Sequence, residues 1–580
     1  MTRIPINMKS ATRPFLVAMI LLLNLGTFTA LTDENHDCGD PSPRHHVKPW
    51  SFGVMGDTQW TLGVPGAPVD PEGTNRDFVS VSVARQIQDQ FIKHGVKFVI
   101  QLGDLTNWGG DAGIATRALA AEDLYKKKIG FFPMRGNHET YGSFFGLDPD
   151  GTFSIPAFQS DFPQTRGLTN TFGAQNFSSP TAVSTDLDGM SYSFDFGPPD
   201  SSARFVILDP LATKSKLTVD PVTYLYYGYP FGAQQQWISS RLDKNTRGTT
   251  HAFVFSHQPL MAETHADSPF GGLTDYDIAG QKAFFASLQN NDVKYYISAH
   301  DHVYQRSIVA SPDQTSKVEE LIATPACPKF YAPISLTDAK WNGQKTRETS
   351  LSQELGSIGF YIYTVDGPQV TVDYYSDEDD HFKSDTSWPN SSDPSFTPNV
   401  TPKFNFALKE SWGYSLNGKE FLVAENAPYT SVADAFSGTA ARILSGLNNS
   451  AAVDGNGRKF IKKVTTGWTP DTSHSLISDI LTLWGMANFG TEQTESYTLS
   501  LTYNYAKSIP ALGNAGIATL DARGNWVNAV DMNYGGTKKF VKGPWKTGYG
   551  LGTYGIDPST KTAWAVINYN ADFAVSLNLR

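Results

Sequence analysis

Residues 96–107 read VKFVIQLGDLTN, an apolar and β-branched run that is followed at once by Gly-Asp and a polar loop. Such a run is typical of a buried strand, which here ends directly before Asp104. Four more short blocks follow strand-like runs in the same way: GDTQ at 56–59, GNHE at 136–139, SHQP at 256–259 and AHDH at 299–302. The chain therefore places a carboxylate, amide or imidazole after each of five predicted strands.

The predicted strands alternate with amphipathic segments of helical spacing. The strands are Ser51–Met55, Val96–Leu102, Phe131–Met134, Ala252–Phe255 and Val293–Ser298. The helical segments are Val81–His94, Ile114–Lys128, Ala233–Lys244 and Ala279–Gln289. This alternation predicts an α/β domain with a largely parallel sheet covered by helices. Because ligands in such sheets bind at the carboxyl ends of strands, we expect the five blocks to converge on one rim.

The side chains of that rim are suited to binding metal ions. They comprise Asp57, Asp104, Asn137, His138, His257, His300 and His302. Oxygen and nitrogen donors without thiolate suit Mn, Fe or Zn. Seven groups are too many for one tetrahedral site, but they suit two ions that share a bridging carboxylate. Paired ions of this kind can hold the attacking and leaving oxygens of a displacement at phosphorus, which predicts phosphoester hydrolysis.

Through these blocks, residues 48–378 resemble the calcineurin-like metallophosphoesterase superfamily. GNHE at 136–139 and HDHVYQR at 300–306 are most similar to its purple acid phosphatase-like branch. The resemblance implies a four-layer αββα sandwich and a small phosphoester substrate.

The resemblance also implies a role for each residue of the rim. Asp104 would bridge both ions; Asp57 and His302 would bind the first ion, and Asn137, His257 and His300 the second. His138 would act as general acid or electrostatic stabiliser while a metal-bound hydroxide attacks phosphorus.

Two residues depart from the family pattern at the first metal position. Gln59 stands where many members have a histidine ligand, and Asn107 stands where purple enzymes have a tyrosine. Either amide oxygen is a candidate weak ligand. We therefore expect the first ion to be held more loosely, with Mg or Mn suited to that position, and no tyrosinate colour.

Three further residues are candidates for contacting the substrate. Arg135 and Arg306 adjoin metal-ligand candidates, and their planar guanidinium groups suit phosphate oxygens, although pairing with carboxylates is the alternative. His265 lies a few residues after His257, in a region where purple acid phosphatase-like enzymes place imidazoles that contact substrate.

The N-terminus and the overall composition indicate an exported protein. The chain has 580 residues, with 40% hydrophobic and 18% charged, enough for more than one core. Residues 1–30 have basic residues followed by the apolar run Phe15–Ala30, which predicts a signal peptide and a secreted, periplasmic or extracellular location. An uncleaved anchor is the alternative; if the segment is cleaved, no later segment is expected to span a membrane. Residues 31–47 form an N-terminal arm.

Charge and cysteine content limit the partners. The formal net charge is -11, which argues against nonspecific nucleic-acid binding because the chain and a phosphate backbone would repel each other. The two cysteines, Cys38 and Cys327, are too few for a cysteine-based metal cluster, and whether they pair is open.

The C-terminal part follows a different pattern. Residues 379–403, dense in Asp, Ser, Pro and Asn, predict a linker, and residues 404–580 predict a β-rich accessory domain. One helical segment, Val432–Leu447, is expected within it. Surface or glycan contact is a candidate role for this domain.

Two functions therefore remain open. The first is a secreted dinuclear-metal hydrolase of phosphate monoesters or diesters. The alternative is a non-catalytic protein on the same scaffold, with a weakened first metal site, that binds phosphate or a partner.

Overall fold

The computed structural model describes most of residues 49–416 and much of the C-terminal part. The described residues are 49–59, 79–107, 110–140, 154–211, 228–367, 369–378, 403–416, 421–422, 433–434, 441–446, 467–468, 476–478, 480–483, 493–503, 514–521, 523, 525–569, 571–577 and 579. The predicted signal peptide, the N-terminal arm, Cys38 and all but the last residue of the predicted linker lie outside them. Among the described residues, no helix is long and apolar enough to cross a membrane.

The first large sheet has six strands. In spatial order they are β16 (Phe406–Ser415), β15 (Gln369–Asp377), β14 (Gly359–Asp366), β1 (Trp50–Met55), β2 (Phe98–Gln101) and β3 (Gly130–Pro133). Strands β1, β2 and β3 are parallel, whereas β14, β15 and β16 add to the edge in antiparallel fashion.

The second large sheet has eight strands. In spatial order they are β13 (Glu348–Glu354), β11 (Tyr304–Ala310), β12 (Lys317–Ile322), β10 (Tyr295–Ser298), β7 (His251–Ser256), β6 (Ala203–Leu208), β5 (Tyr192–Phe196) and β4 (Gln175–Ser178). Only the central strands β6, β7, β10 and β12 run parallel. The expectation of one largely parallel sheet is therefore wrong. Both sheets are mixed, and the short connections of the hairpins β14–β15, β5–β6 and β11–β12 require antiparallel pairing.

Helices cover the outer faces of the two sheets. They are α1 (Val81–His94), α2 (Asp111–Lys126), α3 (Ser154–Asp161), α4 (Phe231–Leu242) and α5 (Ile278–Asn290). Helices α1 to α3 pack on the first sheet, and α4 and α5 pack on the second. Between the sheets lies an aromatic core that includes Phe52, Phe98, Phe205 and Phe253. The four-layer αββα arrangement is thus confirmed.

The C-terminal part is β-rich, as predicted. One sheet contains β19 (Ala441–Ser445), β22 (Gln493–Thr502), β27 (Thr562–Tyr569), β26 (Thr553–Asp557) and β25 (Lys539–Lys542). The other contains β20 (Gly467–Trp468), β21 (Ile480–Leu483), β28 (Ala571–Ser576), β23 (Gly516–Leu520) and β24 (Trp526–Asn528). Apolar side chains from both sheets form one core cluster.

Two short pairs complete the strands. They are β8 (Asp267–Ser268) with β9 (Gly272–Leu273), and β17 (Phe421–Leu422) with β18 (Ala433–Asp434). The helix predicted over Val432–Leu447 is wrong, because its described residues include β18 and β19. In β19, Ala441 and Ile443 are buried against β22, so pairing between strands overrides the local helical pattern.

The predicted domain boundary also needs correction. Strand β16, assigned from sequence to the accessory domain, pairs with β15 along its whole length. It also contacts the second sheet. Arg306 of β11 forms an ion pair with Glu410 of β16, and the Arg306 guanidinium lies 4.8 Å from the centre of the Trp412 ring, which is also on β16. Residues up to Ser415 are therefore part of the αββα domain.

We predict that Glu410→Ala destabilises this domain, because it removes one carboxylate from a buried arginine. Breaking a buried pair from one side costs about 3 to 5 kcal/mol of unfolding free energy. Urea denaturation of the full chain measures the effect, with Lys409→Ala as the neighbouring control. A loss for Glu410→Ala no larger than that of the control would contradict the role of β16.

Candidate metal centre

The five polar blocks lie at the carboxyl ends of parallel strands in the two large sheets. Asp57, Asp104 and Asn137 follow β1, β2 and β3 of the first sheet. His257, and the pair His300 and His302, follow β7 and β10 of the second sheet. The two rims meet, so that one sheet contributes oxygen donors and the other contributes imidazoles.

Two groups of donor atoms share Asp104. Ligand atoms of Asp57, Asp104 and His302 lie within 4.8 Å of one another, and so do those of Asp104, His257 and His300. The amide oxygen of Asn137 is 3.0 Å from Nε2 of His257, which places it in the second group. The structure therefore brings together all six predicted ligands; their binding of ions remains a prediction.

Each of the three imidazoles is oriented by a hydrogen bond from one ring nitrogen. Nδ1 of His257 donates to the carbonyl of Leu102 at 2.7 Å, and Nδ1 of His302 donates to the carbonyl of Lys329 at 2.7 Å. Nε2 of His300 lies 3.3 Å from Oδ1 of Asp267. Such partners fix the tautomer and leave the other nitrogen with its lone pair, as is typical of metal-binding histidines.

Asp57 is the strongest sign that the first group fits a cation. Its carboxylate is fully buried, and neither oxygen has a hydrogen-bond partner in the part of the chain that the structure describes. Burial raises the pKa of Asp57 to about 7, although His257 lowers it. A buried carboxylate without hydrogen bonds is unfavourable unless an opposite charge compensates it, and a divalent ion would supply that charge.

Asp104 is held by an unusually close approach of two loops. Its φ of 45° lies in the left-handed region, and its Oδ1 accepts a hydrogen bond from the backbone N of His138 at 3.0 Å. A Cβ on Gly136 would lie 2.1 Å from that same oxygen. Only glycine allows the GNHE loop to approach Asp104 this closely.

We predict that Gly136→Ala lowers metal content, because the added methyl group must displace the Asp104 carboxylate that both groups share. Metal analysis after dialysis at equal free Mn measures the effect. Gly550→Ala is the matched control, since a Cβ there would meet nothing within 4 Å. Mn content in Gly136→Ala equal to that of the control would contradict the shared position of Asp104.

Gln59 extends directly into the first group. Its Nε2 donates to Oδ2 of Asp104 at 2.9 Å and lies 3.1 Å from Nε2 of His302, while its Oε1 is buried and has no hydrogen-bond partner among the described residues. Rotation of the Gln59 side-chain amide by half a turn would exchange Nε2 and Oε1. The oxygen would then face two other acceptors, Oδ2 of Asp104 and Nε2 of His302, which is favourable only if a cation lies between them. Asn107, in contrast, contacts the site through its backbone carbonyl, and a ligand role for its side chain remains a prediction.

We predict that Gln59→His strengthens binding of the first ion by about tenfold, because imidazole is a better ligand than an amide. Gln59→Ala should weaken it. Calorimetric titration of metal-stripped protein with Mn measures both, with Gln235→His on α4 as control. Unchanged affinity of the weaker ion in both Gln59 variants would show that this residue is no ligand.

His138 lies beside the Asp104 carboxylate rather than within either group of donor atoms. Its Nδ1 donates to the carbonyl of Asn107 at 2.8 Å, and its Nε2 is 3.8 Å from Oδ2 of Asp104. Burial lowers the pKa of His138 to about 3, while Asp104 raises it. The imidazole is therefore neutral at neutral pH, with the lone pair on Nε2.

The two arginines do not line the site. Arg135 is buried and forms an ion pair with Asp209 at 2.9 Å, while Arg306 pairs with Glu319 and Glu410. The alternative of pairing with carboxylates is therefore what the structure shows, and substrate binding by these arginines is not supported. Arg135 also donates to the hydroxyl of Ser154 at 2.8 Å, so both guanidinium groups join separate elements of the fold.

His265 does lie at the rim. Its ring centre is 4.3 Å from that of His300, and its Nδ1 donates to Oδ1 of Asp301 at 2.7 Å. About 29% of its side chain is exposed, so it can reach a bound molecule. Contact with substrate remains a prediction.

Three further acidic residues support the site, and one of them, Asp267, was not identified from sequence. Asp267 and Asp301 orient His300 and His265. Glu139 accepts hydrogen bonds from the backbone N of Thr106 at 3.0 Å and of Gly136 at 2.7 Å, and so joins two loops of the site. The segment after β12 reaches the same rim, because β12 is parallel to β10. A strand prediction at 317–322 would have revealed this segment.

That segment brings Cys327, Lys329 and Tyr331 to the site. Cys327 is buried, has no disulfide partner among the described residues, and its Sγ lies 3.8 Å from Nδ1 of His302. Nζ of Lys329 is 3.4 Å from Nε2 of His138. The ring of Tyr331 lies 5.1 Å from that of His302 and 5.2 Å from that of His265.

Comparison with known families agrees with this geometry. Residues 51–304 match the family model described as calcineurin-like phosphoesterase, and they contain all the residues predicted to bind metal. Over these residues the protein is similar to this metallophosphoesterase family. No curated protein sequence matches the chain.

Several solved structures are similar to parts of the chain at low identity. A dimetal phosphatase from Danio rerio is 16% identical, covers 56% of this chain and 95% of its own, and has a TM-score of 0.34. A purple acid phosphatase from yellow lupin (Lupinus luteus) is 15% identical, covers 57% of this chain and 51% of its own, and has a TM-score of 0.34. GAP50, the anchor in the inner membrane complex of Plasmodium, is 14% identical, covers 57% of this chain and 84% of its own, and has a TM-score of 0.32. Similarity at this level does not distinguish branches or activities.

Proposed function

We propose that the protein is a secreted dinuclear-metal phosphoesterase. The observation that supports this most strongly is the pair of donor groups that share the Asp104 carboxylate, one of which contains the buried Asp57 carboxylate, whose oxygens accept no hydrogen bond among the described residues. Asp57, Asp104 and His302, assisted by Gln59, would bind the first ion. Asp104, Asn137, His257 and His300 would bind the second. The proposed location depends on the predicted signal peptide.

Metal ions at these positions would polarise the phosphoryl oxygens and lower the pKa of a coordinated water. The donor set suits Mn, Fe or Zn, and the amide of Gln59 makes Mg suitable for the first position. The buried carboxylates and oriented imidazoles of the chain provide fixed positions for the ions.

His138 would act on the leaving group. Its Nε2 is the ring atom directed toward Asp104 and Lys329, because Nδ1 is bound to the carbonyl of Asn107. A phosphate dianion beside it would raise its pKa, since a nearby negative charge favours the imidazolium. His138 can then stabilise the phosphoryl oxygens and donate a proton from Nε2 to the departing oxygen.

A non-catalytic binding protein is the alternative, and Gln59 is the observation that favours it, because an amide makes the first site weaker. The completeness of the second group argues against this alternative. Binding phosphate alone does not require a bridging carboxylate, three oriented imidazoles and His138 beside them.

We predict that metal-stripped protein supplied with Mn hydrolyses an aryl phosphomonoester or an aryl phosphodiester. Asp104→Asn should abolish turnover because both ions lose a ligand. His138→Ala should lower kcat by about 10²- to 10⁴-fold while leaving Mn content nearly unchanged. Steady-state kinetics and metal analysis of the same samples measure both effects.

Two results would count against these roles. Equal loss of metal in both variants would make His138 a structural or ligand residue. Absence of turnover with Mn, Fe, Zn and Mg, together with normal metal binding, would favour the binding protein.

A further inference from the structure

We propose that Lys329 binds the substrate phosphate and determines a preference for phosphomonoesters over phosphodiesters. This inference rests on the proposed phosphoesterase function and concerns the same site. Neither the family pattern nor the five sequence blocks include this lysine.

The position of the ammonium group is the first argument. Nζ of Lys329 is 3.4 Å from Nε2 of His138, and that nitrogen is 3.8 Å from Oδ2 of Asp104. The ammonium is thus beside the residue expected to contact the leaving group, and that residue lies next to the shared carboxylate. A phosphoryl group held at the two donor groups would lie within reach of it.

The burial and support of Lys329 are the second argument. Only 4% of the residue is exposed, although lysine is among the residues least often buried. Its backbone carbonyl accepts the hydrogen bond from His302, and its Nζ lies 5.3 Å from the centre of the Tyr331 ring. The contacts of Tyr331 with His265 and His302 keep that ring in place. The lysine is therefore oriented by the same residues that form the metal site.

The charge of the substrate is the third argument. A phosphomonoester carries close to two negative charges at neutral pH, because its second pKa is about 6, whereas a diester carries one. The interaction with a fixed cation grows with each unit of charge and is strong where water is excluded. A diester also replaces one charged oxygen by an ester oxygen, which removes an acceptor for the ammonium. Lys329 should consequently favour the monoester.

The test compares 4-nitrophenyl phosphate with methyl 4-nitrophenyl phosphate, which have the same leaving group and differ by one methyl group. In the Mn-loaded full chain, Lys329→Met should lower kcat/KM for the monoester by on the order of tenfold to a hundredfold more than for the diester. Lys329→Arg should preserve most of the monoester preference, because it retains the charge. Lys340→Met, at an exposed lysine, is the control and should change neither value.

A purely structural role would give a different pattern. If Lys329→Met and Lys329→Arg lower kcat/KM for both esters by the same factor, or lower Mn content, the proposal is overturned. A monoester preference that is unchanged in Lys329→Met would overturn it equally.

A separate measurement distinguishes failure of this proposal from failure of the proposed function. Calorimetry with inorganic phosphate and Mn-loaded protein reports on Lys329 even if no ester is hydrolysed. Lys329→Met should bind phosphate at least about tenfold more weakly than wild type and Lys340→Met. Equal affinity would overturn the role of Lys329, whatever the outcome of the assays of turnover.

Discussion

The buried carboxylate of Asp104 is the feature around which the αββα domain is organised. It is only 1% exposed, and its two oxygens contact the backbone N of His138, the amide of Gln59 and Nε2 of His257. Burial would raise the pKa of Asp104, but His257 and His138 hold it well below its ordinary value. A charge removed from water in this way must be compensated by opposite charge and hydrogen bonds. The left-handed backbone at Asp104 and the glycine at 136 place the carboxylate where both donor groups can use it.

The division of donors between the two sheets makes the site depend on how the sheets pack. Oxygen donors come from the first sheet and imidazoles from the second, so the distance between the sheets determines the distance between ligands. The aromatic core between the sheets maintains this distance. At one edge, the ion pair of Arg306 with Glu410 and the hydrogen bond from Tyr304 to Glu410 join β11 to β16 directly. Residues far from the chemistry therefore contribute to the geometry of the metal centre.

Local sequence patterns were sufficient to predict much of this structure. Strand-like runs ended directly before Asp57, Asp104 and His257, and the helix predicted over Val81–His94 has those bounds in the structure. The predictions were less successful where distant pairing decides the structure. The assignment of β16 depends on contact with β15, and that of β19 on contact with β22, neither of which is visible in a single segment. Lys329 was missed for the same reason, because its place beside His138 follows from β12 lying parallel to β10.

The most direct test of the shared position of Asp104 is the location of the ions themselves. We would measure anomalous diffraction from crystals of the full chain grown with Mn. We expect two peaks on either side of the Asp104 carboxylate, one beside Asp57 and His302 and the other beside His257 and His300. A single peak, or peaks that do not both contact Asp104, would contradict the dinuclear centre.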